Sequence, residues 1–141
     1  MNLRTLTEPR LITWAALTAD IDALARRLRA QGDATAVPRD GSRSRPDGCL
    51  LKWRTLAVQT DLAAPEVNPI PFFIEWAPDS AHPSQDAPVG CELTAFEGEH
   101  PTAEALRARL TSLGVDVVVR EATDVALVAT LETPRGRVVL R

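Results

Sequence analysis

Nowhere in its 141 residues does this sequence stay apolar for the roughly 20 positions that a membrane-spanning helix needs. No membrane partner is expected. The N-terminus, Met-Asn-Leu-Arg-Thr-Leu-Thr-Glu-Pro, lacks the apolar core of a signal peptide, and the two cysteines, Cys49 and Cys91, lack metal-type spacing. The expectation is a cytoplasmic protein with two reduced thiols. A net charge of -3 and a pI near 5.4 leave no broad basic surface for a phosphate backbone, so nucleic acid is not an expected partner. Gly-x-Ser-x-Gly turns, a Cys/His arrangement with a third orienting group, phosphate loops and dinucleotide fingerprints are also missing. Nucleophilic catalysis is left without support.

What is present is the make-up of a soluble globular chain, with 45% hydrophobic and 25% charged residues. Its length suits one compact domain, 1–141, within which two small modules could share a sheet. Leu11 to Leu17 reads as a strand, and Asp20 then caps a helix over Ile21 to Gln31. Ile21, Leu24, Ala25 and Leu28 recur there at helical spacing, and Gly32 supplies the stop. A second strand is expected over Ala34 to Val37, broken by Pro38 and by a turn-rich stretch from Arg39 to Gly48. Cys49 to Val58 is a strong strand. Counting by twos, Leu50, Lys52, Arg54 and Leu56 share one face, and Leu51, Trp53, Thr55 and Ala57 the other. Thr60 to Pro71 is an irregular, proline-rich connection, and Pro71 to Trp76 is the next strand.

Ala77 to Gly90, with Pro78, His82, Pro83 and Pro88, reads as a linker or loop, after which the pattern begins again. Cys91 to Phe96 is a strand. Thr102 opens a helix with Ala103, Leu106, Leu110 and Leu113 on one stripe, and Gly114 ends it. Strands follow over Val115 to Val119, Val125 to Leu131 and Arg137 to Leu140, with Thr133-Pro-Arg-Gly as a turn. The two helices also share residues: Ala23-Leu24-x-x-Arg27-Leu28-x-x-x-Gly32 recurs as Ala105-Leu106-x-x-Arg109-Leu110-x-x-x-Gly114, an offset of 82 residues, 114 minus 32. The chain therefore reads as strand, helix and three strands, twice over, with module one at about 10–77, a linker at about 78–90 and module two at about 91–141.

Asp20 to Leu28, Ser42 to Arg54, Pro71-Phe-Phe-Ile-Glu-Trp, His82-Pro83, Glu99-His-Pro and Thr133-Pro-Arg-Gly-Arg together resemble bacterial glyoxalase-like domain proteins of the vicinal-oxygen-chelate superfamily. The resemblance implies an α+β fold in which two βαβββ modules form a cupped mixed sheet with helices on the outer face. It also implies that longer members carry a further βαβββ unit upstream. In metal-dependent members of that superfamily, His and Glu ligands project from strands into the cup and leave positions open for substrate. Here the expected strands offer at most the two carboxylates Glu75 and Glu92, and no histidine. No glyoxalase-type metal site is expected, and no other cofactor.

The stretch from Gly41 to Arg54 carries Arg43, Arg45 and Asp47 in a turn and then enters an aromatic strand. Arg43, Arg45, Asp47 and Arg54 are the expected polar contacts for a small ligand, and Trp53, Phe73 and Trp76 its apolar wall. The alternative is a solvated basic loop beside ordinary core aromatics. Glu75 and Arg54 fall on adjacent strands, where they form either a structural ion pair or a charged feature presented to a ligand. Glu75 and His82 are the candidate catalytic acid/base pair, with a hydrogen-bonded loop histidine as the plainer reading of His82. His100 is expected to fix the entry of the second helix. Three functions follow: a module that binds a small polar or anionic molecule, a metal-dependent lyase, isomerase or dioxygenase-like enzyme, and a pairing module that completes its cup as a homodimer.

Overall fold

A computed structural model describes residues 9–33 and 36–141. Its backbone falls into two compact units. One comprises Ala15–Gln59 with Pro71–Ala87, and the other comprises Thr60–Ile70 and Pro88–Arg141 together with the segment that ends at Trp14.

In the first unit, the Asp20 carboxylate accepts from the Ala23 N–H at 2.8 Å and so satisfies one of the donors that a helix start leaves free. Helix α1 (Ile21–Ala30) follows, with Ile21, Leu24, Ala25 and Leu28 buried along one stripe. Its sheet holds β1 (Ala15–Leu17), β2 (Pro38–Ser44), β3 (Leu50–Leu56) and β4 (Phe72–Trp76) in the order β1-β4-β3-β2. β1 runs parallel to β4, and the other neighbours are antiparallel. Leu56 lies opposite Phe73 and Arg54 opposite Glu75. Directly paired residues share a face, so these four side chains lie on one side of the sheet. α1 covers that side, since its Asp22 binds Arg54 and its Ile21 N–H meets Glu75. Burial of Ile21, Leu28, Leu56 and Phe73 contributes about 1.5–3 kcal/mol for each side chain.

The second unit has β5 (Glu92–His100), α2 (Ala103–Leu113), β6 (Val118–Glu121), β7 (Ala126–Thr133) and β8 (Gly136–Leu140). Ala103, Leu106, Leu110 and Leu113 form the buried stripe of α2, and Gly114 ends the helix at φ 78°, a left-handed conformation suited to glycine. The proline-rich connection is fixed to this unit by specific polar contacts. The Asn68 N–H bonds the Ile12 carbonyl at 2.8 Å, and the Trp14 indole donates to the Pro69 carbonyl at 2.9 Å. Trp14 also packs on Phe96, with ring centroids 4.9 Å apart.

Two α/β modules with four-stranded mixed sheets agree with the expected fold class, but several details differ. The repeat predicts two equal modules, whereas the second sheet has the order β6-β5-β7-β8. The nine-residue β5 lies inside that sheet, parallel to β6 through the α2 crossover and antiparallel to β7. The expected turn from Arg39 onwards is instead most of β2. Pro38 begins this edge strand, where its missing N–H interrupts no ladder on the open side. Of the strand expected over Ala34 to Val37, Ala34 and Thr35 lie outside the described residues. β5 runs on past Phe96 to His100, so a histidine does lie within a strand. β1 is shorter than the expected Leu11 to Leu17, because the Ile12 carbonyl serves the connection instead.

His100 replaces the absent side-chain cap of α2. Thr102 makes no capping bond of its own, and its N–H and hydroxyl both lie 2.9 Å from His100 Nδ1. With Nδ1 accepting, Nε2 carries the ring proton and donates to the Leu62 carbonyl at 3.1 Å. One ring thus joins β5, the start of α2 and the connection. His100→Ala leaves these partners unmet in a site that is 7% exposed, and urea unfolding is expected to show a loss of about 1–3 kcal/mol. An unchanged midpoint would mean that the ring does not hold the helix entry.

Candidate ligand cavity of the first sheet

Strand alternation divides β3 between two environments. Arg54 points to the α1 side with its partner Glu75, while Trp53 lies opposite Trp76 on the other side. The two indoles are 5.6 Å apart at a tilt of 59°, within the range of favourable aromatic contacts. Gly41 lies opposite Trp53 on β2, and a Cβ at position 41 would stand only 2.5 Å from the indole Nε1. The glycine is what lets the ring lie across the edge strand.

A cavity of about 910 Å³ opens at this end of the first unit. β1 and the residues after it contribute Leu17, Thr18 and Ala19, and β2 contributes Asp40, Gly41 and Ser42. β3 adds Leu50, Lys52, Trp53 and Arg54, and Glu75, Trp76, Ala77, Pro78 and His82 close the lining. The cavity therefore brings together five residues expected from the sequence: Trp53, Arg54, Glu75, Trp76 and His82. It adds Asp40, Leu17 and Leu50, which the sequence reading passed over. Asp40 lay in what read as a turn, and its place opposite Arg54 follows only from the β2–β3 register.

The other expected residues fall elsewhere. Phe73 is 4% exposed and packs in the core beneath α1, so it is not part of the wall. Arg45 and Asp47 build the β2–β3 turn. The Asp47 carboxylate accepts the Cys49 N–H at 2.9 Å, and that bond holds its carboxyl below the ordinary aspartate range. Arg45 pairs with Asp86 and Asp47. Arg43 is exposed and lies opposite Leu51, outside the cavity lining.

Arg54 is held by carboxylates. Its two terminal nitrogens bond both oxygens of Asp22 at 2.6 and 2.9 Å, a bidentate arrangement that fixes the guanidinium plane. Its Nε lies 3.4 Å from Asp40, and Nη1 lies 3.8 Å from Glu75. The hydrogen bond from Arg54 lowers the Asp22 pKa and in return raises that of Arg54. Glu75 also accepts from the Ile21 N–H at 3.4 Å, which places its charge at the favourable positive end of α1. Lys52 is paired with Asp79 at 3.1 Å.

His82 caps the short 3₁₀ turn Pro83–Gln85. Its Nδ1 accepts from the Ser84 N–H at 3.2 Å and lies 2.6 Å from the Ser84 hydroxyl. A neutral ring bonded in this way keeps its proton on Nε2. The imidazole meets Trp76 edge-on at 5.5 Å and 77°. His82 and Glu75 thus line one cavity, but neither is a hydrogen-bond partner of the other among the described residues.

Among the described residues, no group of three or more His, Cys, Asp or Glu side chains is gathered as a metal site. The donors nearest to such a set are engaged elsewhere: Glu75 on Ile21 and Arg54, Asp40 on Arg54, and His82 Nδ1 on Ser84.

Two βαβββ strings, each folded as a four-stranded mixed sheet with one helix, define an α+β glyoxalase-like fold. The family model described as a glyoxalase-like domain matches residues 1–114, and the chain belongs to that family. Among solved structures it is similar to a hypothetical protein from Staphylococcus aureus, with 18% identity and a TM-score of 0.58 over 90% of this chain and 50% of that one. At that identity the likeness shows the fold alone, and this chain spans half the length of that protein. No curated protein matches it.

The Asp22–Arg54 pair has a pH signature. Because the folded carboxyl titrates below its ordinary 3.8, the pair stabilises the fold above that value, and the contribution is lost as pH falls through the lower folded pKa. Asp22→Asn is therefore expected to be less stable than the parent chain at neutral pH. The gap should close as the medium is acidified below the ordinary carboxyl value, as followed by denaturant unfolding across that range. A gap that stayed constant into acid would show that the carboxylate charge plays no part.

Proposed function

We propose that this chain binds a small organic molecule in the cavity of the first sheet, with the apolar part of the ligand on Trp53 and Trp76 and its polar end among Asp40, Arg54, Glu75 and His82. The observation that carries this reading is the cavity itself. Its volume of about 910 Å³ falls within the roughly 300–1,000 Å³ typical of small-molecule sites. Its make-up fits as well, because two indoles, Leu17, Leu50 and Pro78 supply apolar surface while a few convergent polar groups fix orientation. His82 serves as a hydrogen-bond donor through Nε2, and Glu75 as an acceptor.

The Gly41–Trp53 contact provides the test. A thermal-shift screen of keto acids, glutathione adducts, aromatic acids and amines would identify ligands, and indole fluorescence would then give affinities. Gly41→Ala forces the Trp53 ring away from β2, and Trp53→Ala removes it. Loss of one aromatic contact together with its burial, about 1.4 kcal/mol, corresponds to roughly tenfold weaker binding. Each variant is expected to weaken a screened ligand by at least that factor while the far-ultraviolet dichroism stays unchanged. Ligands that bind both variants as tightly as the parent would place binding elsewhere.

A further inference from the structure

A ligand seated on the indoles meets one face of the first sheet, and the side chains of that face bear on its chemistry; this step rests on the cavity reading above and adds the sign of the ligand's charge. Asp40, Lys52, Arg54 and Glu75 set no sign. They balance two against two, they project to the helix side, and both cations have carboxylate partners.

The indole face is different. Gly41 lies opposite Trp53, and the β2–β3 register runs unbroken from Pro38 to Ser44, so Arg39 and Arg43, two positions to either side of Gly41, project to the same face. They are the diagonal neighbours of Trp53, at roughly the 7–8 Å that long side chains bridge. Both are exposed, and neither has an ion-pair partner among the described residues. The strand residues that share this face on β1, β3 and β4, such as Leu17, Leu51, Thr55 and Ile74, carry no charge. Neither arginine lines the cavity itself, but both flank Gly41, which does.

Hydrogen-bonding capacity points the same way. The indole N–H groups of Trp53 and Trp76 have no acceptor among the described residues, and the adjoining His82 carries its proton on Nε2 because Nδ1 accepts from Ser84. Rings and guanidiniums alike are donors. The Nε1 edge of Trp53 lies over Gly41, so an acceptor placed there lies between the two arginines and beside the indole donor. A carboxylate supplies both the acceptor atoms and the charge that a guanidinium binds best.

We infer that the ligand of this cavity is an aromatic carboxylate, its ring against Trp53 and Trp76 and its carboxylate held by the guanidiniums that flank Gly41. Because both arginines are exposed, the attraction is partly screened and falls with added salt.

Phenylacetate, phenylacetamide and phenethylammonium share a ring and differ in charge, and each can be titrated into the full chain by indole fluorescence at low and high salt. The carboxylate is expected to bind about tenfold tighter than the amide, the size of one charge-assisted hydrogen bond, and the ammonium compound more weakly than either. High salt should narrow the margin. The double variant Arg39→Gln, Arg43→Gln should bring the carboxylate to the level of the amide and leave the amide unchanged, with far-ultraviolet dichroism reporting that the fold is kept. An ammonium probe as tight as the carboxylate, or a carboxylate affinity indifferent to the double variant, would overturn the charge assignment. If the amide still responded to Trp53→Ala, the cavity reading would survive that result. Failure of all three probes to bind would overturn both.

Discussion

The bidentate bond between Arg54 and Asp22 is the interaction on which the first unit's site depends. It ties the middle of β3 to the first turn of α1 and holds the guanidinium plane in one orientation. Asp40 and Glu75 then gather around the fixed cation from the two neighbouring strands. Because side chains alternate along a strand, fixing Arg54 on the helix side commits Trp53 to the other. The register with β4 and the small size of Gly41 then determine where the indole lies. A single ion pair thus ties the charges on the helix side of β3 to the placing of the indole on its other side.

The two units solve the problem of helix entry in different ways. α1 uses Asp20 on its own chain and Glu75 from the sheet, so its start shares a carboxylate with the candidate site. α2 begins at a threonine that makes no cap and relies on a buried histidine at the end of β5. Glu75 lines the cavity, whereas both nitrogens of His100 face protein groups, Thr102 on one side and Leu62 on the other. Only the first helix entry opens onto the cavity.

Local chemistry made much of this legible in the sequence. Asp20 and Gly114 mark helix ends, the apolar stripes mark helix faces, and the alternation of β3 separates Arg54 from Trp53 before any coordinates are seen. What the sequence could not show depends on partners far along the chain. Pro38 reads as a breaker until β2 proves to be an edge strand. Glu97 and Glu99 look unlike strand interior until Arg120 and Arg141 are found beside them at the surface. The repeat correctly gives the order of elements but carries no information on which strands pair, so the unlike order of the second sheet was hidden. Phe73 and Trp76 look equivalent in sequence, yet they fall on opposite faces of the sheet, Phe73 in the core with Leu56 and Trp76 beside Trp53. Arg45 and Arg54 cluster in the sequence, which shows nothing of Asp86 and Asp22, the carboxylates that the fold brings to them.

The central claim is that the Asp22–Arg54 pair fixes the first unit's site, and a double-mutant cycle tests it directly. Stabilities of the parent chain, Asp22→Ala, Arg54→Ala and the double variant, measured by urea unfolding at neutral pH, give the coupling between the two side chains free of their separate effects. The account predicts a favourable coupling clearly outside experimental error that shrinks at high salt. Strict additivity, with the double variant losing the sum of the single losses, would contradict it.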